Sequence, residues 1–182
     1  EHHRRGDVVN VGNDLDTPSA LAWEHRDGGR GEGRRLGENH LRRPVLPVLL
    51  RRPRRYGGRG SSACTQALKA DKNVKLTAMG DAFSDKLQSS RKALKNEFPE
   101  KVDVADDHCF VGFDAHKQVI DSGVDVVLLA TPPHFRPMHF KAAVAAGKHV
   151  FAEKPVAVDA PGYRSVLETI EEAKKKNLSV VS

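Results

Sequence analysis

The fold is decided by residues 124–155, which read VDVVLLATPPHFRPMHFKAAVAAGKHVFAEKP. Within them, residues 126–130 are apolar at every position and too few for a helix, so they predict a strand buried on both faces of a parallel sheet. Thr131-Pro132-Pro133 ends that strand, because proline disfavours helix in the residue before it. This pattern predicts a central sheet strand followed by a sharp turn.

A helix and a second strand follow this turn. The helix is predicted from about His134 to a stop at Gly147. Its inward face would carry Phe135, Met138, Ala142, Ala143 and Ala146. The strand, residues 149–152, ends at Glu153-Lys154-Pro155. Because ligands of open α/β sheets lie beyond the carboxyl ends of the strands, we expect Thr131-Pro132 and Glu153-Lys154 to share one rim.

Three short motifs carry a family resemblance: ATPP after the first strand, AGKHV at the end of the helix and EKP after the second strand. They resemble the Gfo/Idh/MocA family of nicotinamide-dependent oxidoreductases. The resemblance covers residues 57–182 and implies the family's N-terminal Rossmann domain, an α/β doubly wound parallel sheet. The family's second α/β domain, which forms the substrate pocket, is not represented in these 182 residues, so we expect a truncated chain without full activity.

The resemblance also assigns residues to the nicotinamide end of the cofactor. It implies that Lys154 is catalytic and exchanges a proton with the substrate hydroxyl, and that Glu153 orients Lys154 or binds the nicotinamide ribose. It further implies a cis peptide bond before Pro155. The residues that would line the nicotinamide and its ribose are Thr131, Pro132 and His134. Many relatives carry a histidine where this chain has Arg136, so that contact is not transferred.

A glycine-rich turn precedes another predicted helix, SSACTQALKA, which would have Ser61 or Ser62 near its N-cap. Glycines let backbone N–H groups approach a pyrophosphate closely, and its charge favours a helix N-terminus. The candidate pyrophosphate-binding residues are Gly57, Gly58, Arg59 and Gly60.

Two features count against a complete dinucleotide motif here. Arg55 occupies the position of the first glycine, and the preceding strand would fall at residues 48–54, which include three arginines and a proline. Buried charges are costly and proline removes a ladder hydrogen bond, so the first strand is predicted to be missing or badly formed. An ordinary surface turn is the alternative interpretation of the glycines.

A strand predicted at residues 74–81 ends in Asp81, which lies 21 residues after Gly60. This spacing is typical of a carboxylate that accepts hydrogen bonds from the adenosine ribose. The same charge would repel a 2′-phosphate, so NAD is favoured over NADP. Alternatively, Asp81 caps a helix that begins near Ser84.

Helices and strands continue to alternate along the chain, as a doubly wound parallel sheet requires. Helices are predicted at 84–98, 114–123 and 159–176, and short strands at 108–111 and from 178. Asp114 would cap the second of these helices. The inward face of the last helix would carry Val166, Leu167, Ile170 and Ala173.

Residues 1–56 differ in composition from the rest. The first 60 residues hold 13 Arg, no Lys and 8 acidic residues, whereas the other 122 hold 17 Lys plus Arg against 16 acidic residues. A polar Arg/Gly-rich segment cannot bury enough apolar surface to fold, so residues 1–56 are predicted to be disordered, or not native to the fold through a shifted frame or misplaced start. A basic arm for nucleic acid and an export signal are the weaker alternatives.

The cysteine spacing and the hydropathy argue against a metal site and a membrane span. Cys64 and Cys109 lack zinc-like spacing, so no metal site is predicted. No apolar run reaches the roughly 18–20 residues that span a bilayer, so we expect a soluble cytoplasmic protein. The alternative is an exported protein, as some members of the resembled family are.

The sequence therefore favours an NAD-binding domain of an oxidoreductase that acts on a sugar or cyclitol hydroxyl. Two alternatives stay open: a non-catalytic module that binds a nucleotide or a partner chain, and nucleic-acid binding through the arginine-rich arm.

Overall fold

The computed structural model of the 182-residue chain describes residues 58–182, in which helices and strands alternate. The helices are α1 (Arg59–Ala70), α2 (Ser84–Glu97), α3 (Ala115–Asp121), α4 (Arg136–Ala145) and α5 (Ala160–Lys175). The strands are β1 (Met79–Asp81), β2 (Cys109–Val111), β3 (Val126–Leu129), β4 (His149–Ala152) and β5 (Val180–Val181). The predicted α/β class is confirmed.

The strands form two parallel sheets, one in the order β1-β2 and the other in the order β3-β4-β5. A doubly wound sheet of order 3-2-1-4-5-6 contains both groups, one on either side of its first strand. Within residues 58–182 no strand occupies that central position. The strand predicted at residues 48–54 lies outside the described residues.

Strand β3 is buried on both faces, as its uniformly apolar sequence predicts. Leu128 and Ala130 belong to an apolar cluster with residues of α1, α2 and β1. Val127 and Leu129 point the other way, into a cluster with residues of α3, α4 and α5. Adjacent strand residues point to opposite faces, so helices must cover both sides of the sheet.

Strand β1 is shorter than predicted. It begins at Met79, and the segment before it forms an isolated parallel bridge between Leu76 and Val102, outside the sheet. The apolar side chains of residues 74–78 are nevertheless buried at alternate positions. Burial alternation therefore extends further than the hydrogen-bonded ladder.

Helix α1 begins earlier than predicted. Its N-cap is Gly58, and no side chain caps it, so the prediction that Ser61 or Ser62 lies near the cap is wrong. At α3 the cap position is Asp114 as predicted, but its carboxylate pairs with Lys117 and does not accept a capping hydrogen bond. At α5 Asp159 does cap, accepting from the Gly162 N–H at 2.7 Å.

The inward faces of α4 and α5 differ from the prediction. Met138 and Ala146 are exposed, and Leu167 is 45% exposed. The residues of α4 that are buried include two polar ones, Arg136 and His139. The apolar stripe is displaced because these polar side chains have partners in the turns that follow β3 and β4.

Candidate nucleotide-binding rim

The turns after β3 and β4 lie side by side. The two strands pair in parallel with Leu129 opposite Ala152, and the Glu153 N–H donates to the Leu129 carbonyl at 2.9 Å. Thr131 and Lys154 each follow two residues beyond this last pair. The predicted common rim of these two turns is confirmed.

The first turn of α1 reaches the same rim. The exposed Arg59 guanidinium lies 3.7 Å from the mostly buried Glu153 carboxylate, measured from Nε to Oε2. No acidic residue lies in this turn, and Gly58 offers no capping side chain. The Ser61 hydroxyl is buried and has no hydrogen-bond partner within residues 58–182. Gly57 lies outside the described residues.

This helix end fits an anion such as a pyrophosphate. Uncapped first-turn N–H groups and the helix dipole both favour negative charge. Arg59 adds a cation, and the Ser61 hydroxyl, which no group of residues 58–182 engages, is a further donor for an anion oxygen. Gly60, in the same turn, is buried within the helix.

Asp81 ends strand β1 and is only 1% exposed. Its Oδ1 accepts from the Phe83 N–H at 2.9 Å, and Phe83, not Asp81, occupies the N-cap position of α2. Asp81 therefore lies two residues before the N-cap of α2 and bonds the N–H of the N-cap residue. Asp81 thus lies buried at the carboxyl end of β1, the end at which ligands of open α/β sheets bind.

The Thr131 side chain contacts helix α4. Its hydroxyl lies 3.3 Å from His139 Nδ1, and both side chains are buried. The His139 ring stacks on buried His116 of α3, with centroids 4.0 Å apart. Burial, with a smaller contribution from His116, lowers the pKa of His139 to about 4. The His139 ring is therefore neutral at pH 7 beneath the Thr131 turn.

Arg136 ties the second turn to the same helix. Its side chain is 5% exposed, and Nη1 donates to the Pro155 carbonyl, while Nε has no hydrogen-bond partner within residues 58–182. Burial lowers the pKa of Arg136, the Glu153 carboxylate raises it and Arg59 lowers it further. The Lys154–Pro155 peptide bond is cis, as the resemblance implies, and Lys154 is exposed.

Pro132 and His134 complete the first turn. The Pro132 carbonyl accepts from the Phe135 N–H at 3.0 Å, which starts the chain into α4. His134 is exposed, packs edge-on against Phe135 and lines a surface groove with Met138 and Asp159. The structure thus brings Pro132 to the rim with Thr131, and directs His134 toward the start of α5.

No role was predicted from the sequence for three buried polar residues of the site: His116, Arg136 and His139. Arg136 and His139 lie three residues apart, one helical turn, in line with the buried Ala143. Polar residues on the inward stripe of a helix, directly after a predicted ligand-facing turn, were the available signal.

The described residues offer little besides this rim. Within 58–182 no three His, Cys, Asp or Glu side chains are placed to hold a metal ion. Burial raises the pKa of the Cys64 thiol to about 12, so it is inert as a nucleophile. Over the same range, none of the helices combines the length and the apolarity that crossing a membrane demands.

Comparisons with known proteins agree with this geometry. The sequence model described as GFO_IDH_MocA, an oxidoreductase family with an NAD-binding Rossmann fold, matches residues 56–182. An inositol 2-dehydrogenase of Paracoccus denitrificans (strain Pd 1222) is 37% identical over 67 residues, 37% of this chain and 20% of that protein. A 1-carboxy-3-chloro-3,4-dihydroxycyclohexa-1,5-diene dehydrogenase of Comamonas testosteroni is 35% identical over 88 residues, 48% of this chain and 19% of that protein.

Among solved structures, an NAD-binding protein from Listeria innocua superposes with a TM-score of 0.54 at 26% identity. The superposition covers 77% of this chain and 34% of that one. The chain thus aligns with about a fifth of each of these two curated relatives and a third of this structure.

Proposed function

This chain belongs to the Gfo/Idh/MocA family of oxidoreductases through its NAD-binding Rossmann domain, and we propose that the rim described above holds the dinucleotide. The observation that carries the proposal is the register of β3 and β4, which brings the Thr131 and Lys154 turns together beside the start of α1. A ligand lying along this rim would meet the start of α1, the Glu153 carboxylate and the Lys154 ammonium in turn.

The pyrophosphate would lie at the start of α1. The first-turn N–H groups following Gly58 and the Ser61 hydroxyl would donate hydrogen bonds to it, and Arg59 would offset its charge. Gly60 adds no side chain of its own to this turn. Gly57 stays a prediction, since it lies outside the described residues.

The adenosine ribose would lie at the end of β1, with its hydroxyls donating to Asp81. Because Asp81 is 1% exposed, a 2′-phosphate would place a second negative charge beside a carboxylate that water hardly screens. We therefore infer that NAD is bound in preference to NADP.

The nicotinamide would lie between the two turns, against Thr131 and Pro132 on one side and Glu153 and Lys154 on the other. The bound dinucleotide supplies the hydride acceptor or donor. In the oxidation the exposed Lys154 amine would take the hydroxyl proton as hydride leaves the carbon for the dinucleotide, and in the reduction the Lys154 ammonium would return that proton to the carbonyl oxygen. Glu153, held by Arg59, would bind the nicotinamide ribose. His134 would contribute at the edge of the site.

The substrate class follows from the same end of the site. A lysine that can accept and return a proton beside a hydride acceptor suits the oxidation of a carbon that carries a hydroxyl, and one relative is named an inositol 2-dehydrogenase. We propose a sugar or cyclitol hydroxyl as the group that reacts.

Calorimetric titration with NADH and with NADPH tests the proposal. We expect the wild-type chain to bind NADH more tightly. Asp81→Asn keeps the oxygen that accepts from Phe83 but removes the charge, so the preference for NADH should fall roughly tenfold, about 1.4 kcal/mol. Asp103→Asn removes the charge of an exposed carboxylate and should change neither affinity. A folded chain that binds neither nucleotide would refute the proposal.

A further inference from the structure

Helix α4 contacts both of the turns that form the nicotinamide end of the rim. Arg136, its first residue, donates to the Pro155 carbonyl, directly after Lys154. His139, one turn later, contacts the Thr131 hydroxyl. One helix therefore grips two turns that belong to different strands.

Beyond the ends of β3 and β4, the two turns are linked by contacts with α4 and no longer by hydrogen bonds of the sheet. The ladder between β3 and β4 ends where Leu129 lies opposite Ala152, with the Glu153 N–H donating to the Leu129 carbonyl. Past that bond, the Thr131 hydroxyl and the Pro155 carbonyl both have hydrogen-bond partners on α4. The separation of the two turns is thus set by the distance between two side chains on one rigid helix.

Stability alone does not account for these side chains. A buried guanidinium loses its hydration, and Arg136 recovers only part of it because Nε has no hydrogen-bond partner in the described region. Replacing buried ionic groups with apolar side chains of similar volume is often neutral or stabilising. His139 is likewise buried, and its ring stacks on His116. Both side chains thus bury polar atoms and carry a desolvation cost that an apolar residue would not.

We propose that Arg136 and His139 are positioning residues that fix the spacing of Thr131 and Lys154 for the nicotinamide half of the dinucleotide. His116 backs His139 from α3 and holds its ring in place. The inference rests on the proposed function and adds to it a specific role for α4. Neither residue needs to touch the ligand.

The test compares NADH with ADP-ribose, which keeps the adenosine, the pyrophosphate and a ribose but has no nicotinamide ring. Calorimetry on Arg136→Gln should show NADH affinity reduced roughly tenfold, because misplaced contact groups lose binding energy steeply, with ADP-ribose affinity kept within about twofold. Arg136→Lys keeps the charge and should recover part of the loss. Lys141→Gln removes an exposed charge from the same helix and should behave as wild type.

A measurement on the wild-type chain covers the case in which Arg136→Gln does not fold. In long-range ¹H–¹⁵N spectra of the histidine rings, saturating NADH should shift the His139 signals and saturating ADP-ribose should leave them in place. Two results would overturn the inference while leaving the proposed function intact. One is an equal loss of affinity for NADH and ADP-ribose in a folded Arg136→Gln chain. The other is a set of His139 signals that do not shift when NADH is added. Failure of the wild-type chain to bind either ligand would overturn both.

Discussion

Acid should destabilise this domain through His139. Burial lowers its pKa from 6.5 to about 4 in the folded chain, with a smaller contribution from His116, and the rings stacked on it are His116 of α3 and Phe135, with centroids 4.0 and 6.1 Å away. Between these two pH values the unfolded chain binds a proton that the folded chain rejects, so the free energy of unfolding falls as the pH falls. Above pH 6.5 the titration of His139 leaves the free energy of unfolding unchanged, and toward pH 4 it lowers that free energy progressively. From pH 7 to pH 5 the loss is about 2 kcal/mol.

Urea unfolding at pH 7, 6 and 5 measures this loss. His139→Gln removes the titrating ring but keeps an amide that can contact the Thr131 hydroxyl, so its stability should depend less on pH than that of wild type by about 2 kcal/mol over this interval. His134→Gln removes an exposed imidazole at the start of the same helix and should follow the wild-type profile. If His139→Gln and wild type lose stability in parallel, His139 is not held neutral by burial and the reasoning fails.

Two further substitutions test the fold by urea unfolding. Leu128→Ala opens a cavity in the core, where Leu128 is 1% exposed, and should cost about 2–5 kcal/mol, whereas Leu167→Ala at a 45% exposed position of α5 should cost less than about 1 kcal/mol; equal losses would contradict the packing described. Asp159→Ala removes a capping hydrogen bond and should cost about 1 kcal/mol, while Asp114→Ala, at a cap position without that bond, should cost measurably less. The cap assignment fails if the two changes are equivalent.

Strand β3 and the rim could be predicted because they depend on local sequence. A continuous apolar run that ends at prolines defines a buried strand, and parallel pairing with the next strand then places Thr131 and Lys154 together. The helix stops at Gly123 and Gly147, both with positive φ, are equally local.

The face of α4 could not be predicted in this way. A stripe drawn through apolar residues selected Met138, which is 53% exposed, and passed over Arg136 and His139. Their hydrogen-bond partners are distant in sequence: the Pro155 carbonyl lies 19 residues after Arg136, and the Thr131 hydroxyl lies 8 residues before His139. A helical periodicity cannot predict such partners. The sequence pattern failed at the residues whose partners belong to the proposed site.

The most direct test of the central claim is an NADH titration followed by the backbone amide signals of the ¹⁵N-labelled chain. The account predicts that Arg59, Asp81, Thr131 and Lys154, drawn from four separate segments, shift together with a single dissociation constant. Shifts confined to outer helix surfaces such as those at Gln88 and Arg164, or no shifts in a folded chain, would contradict it.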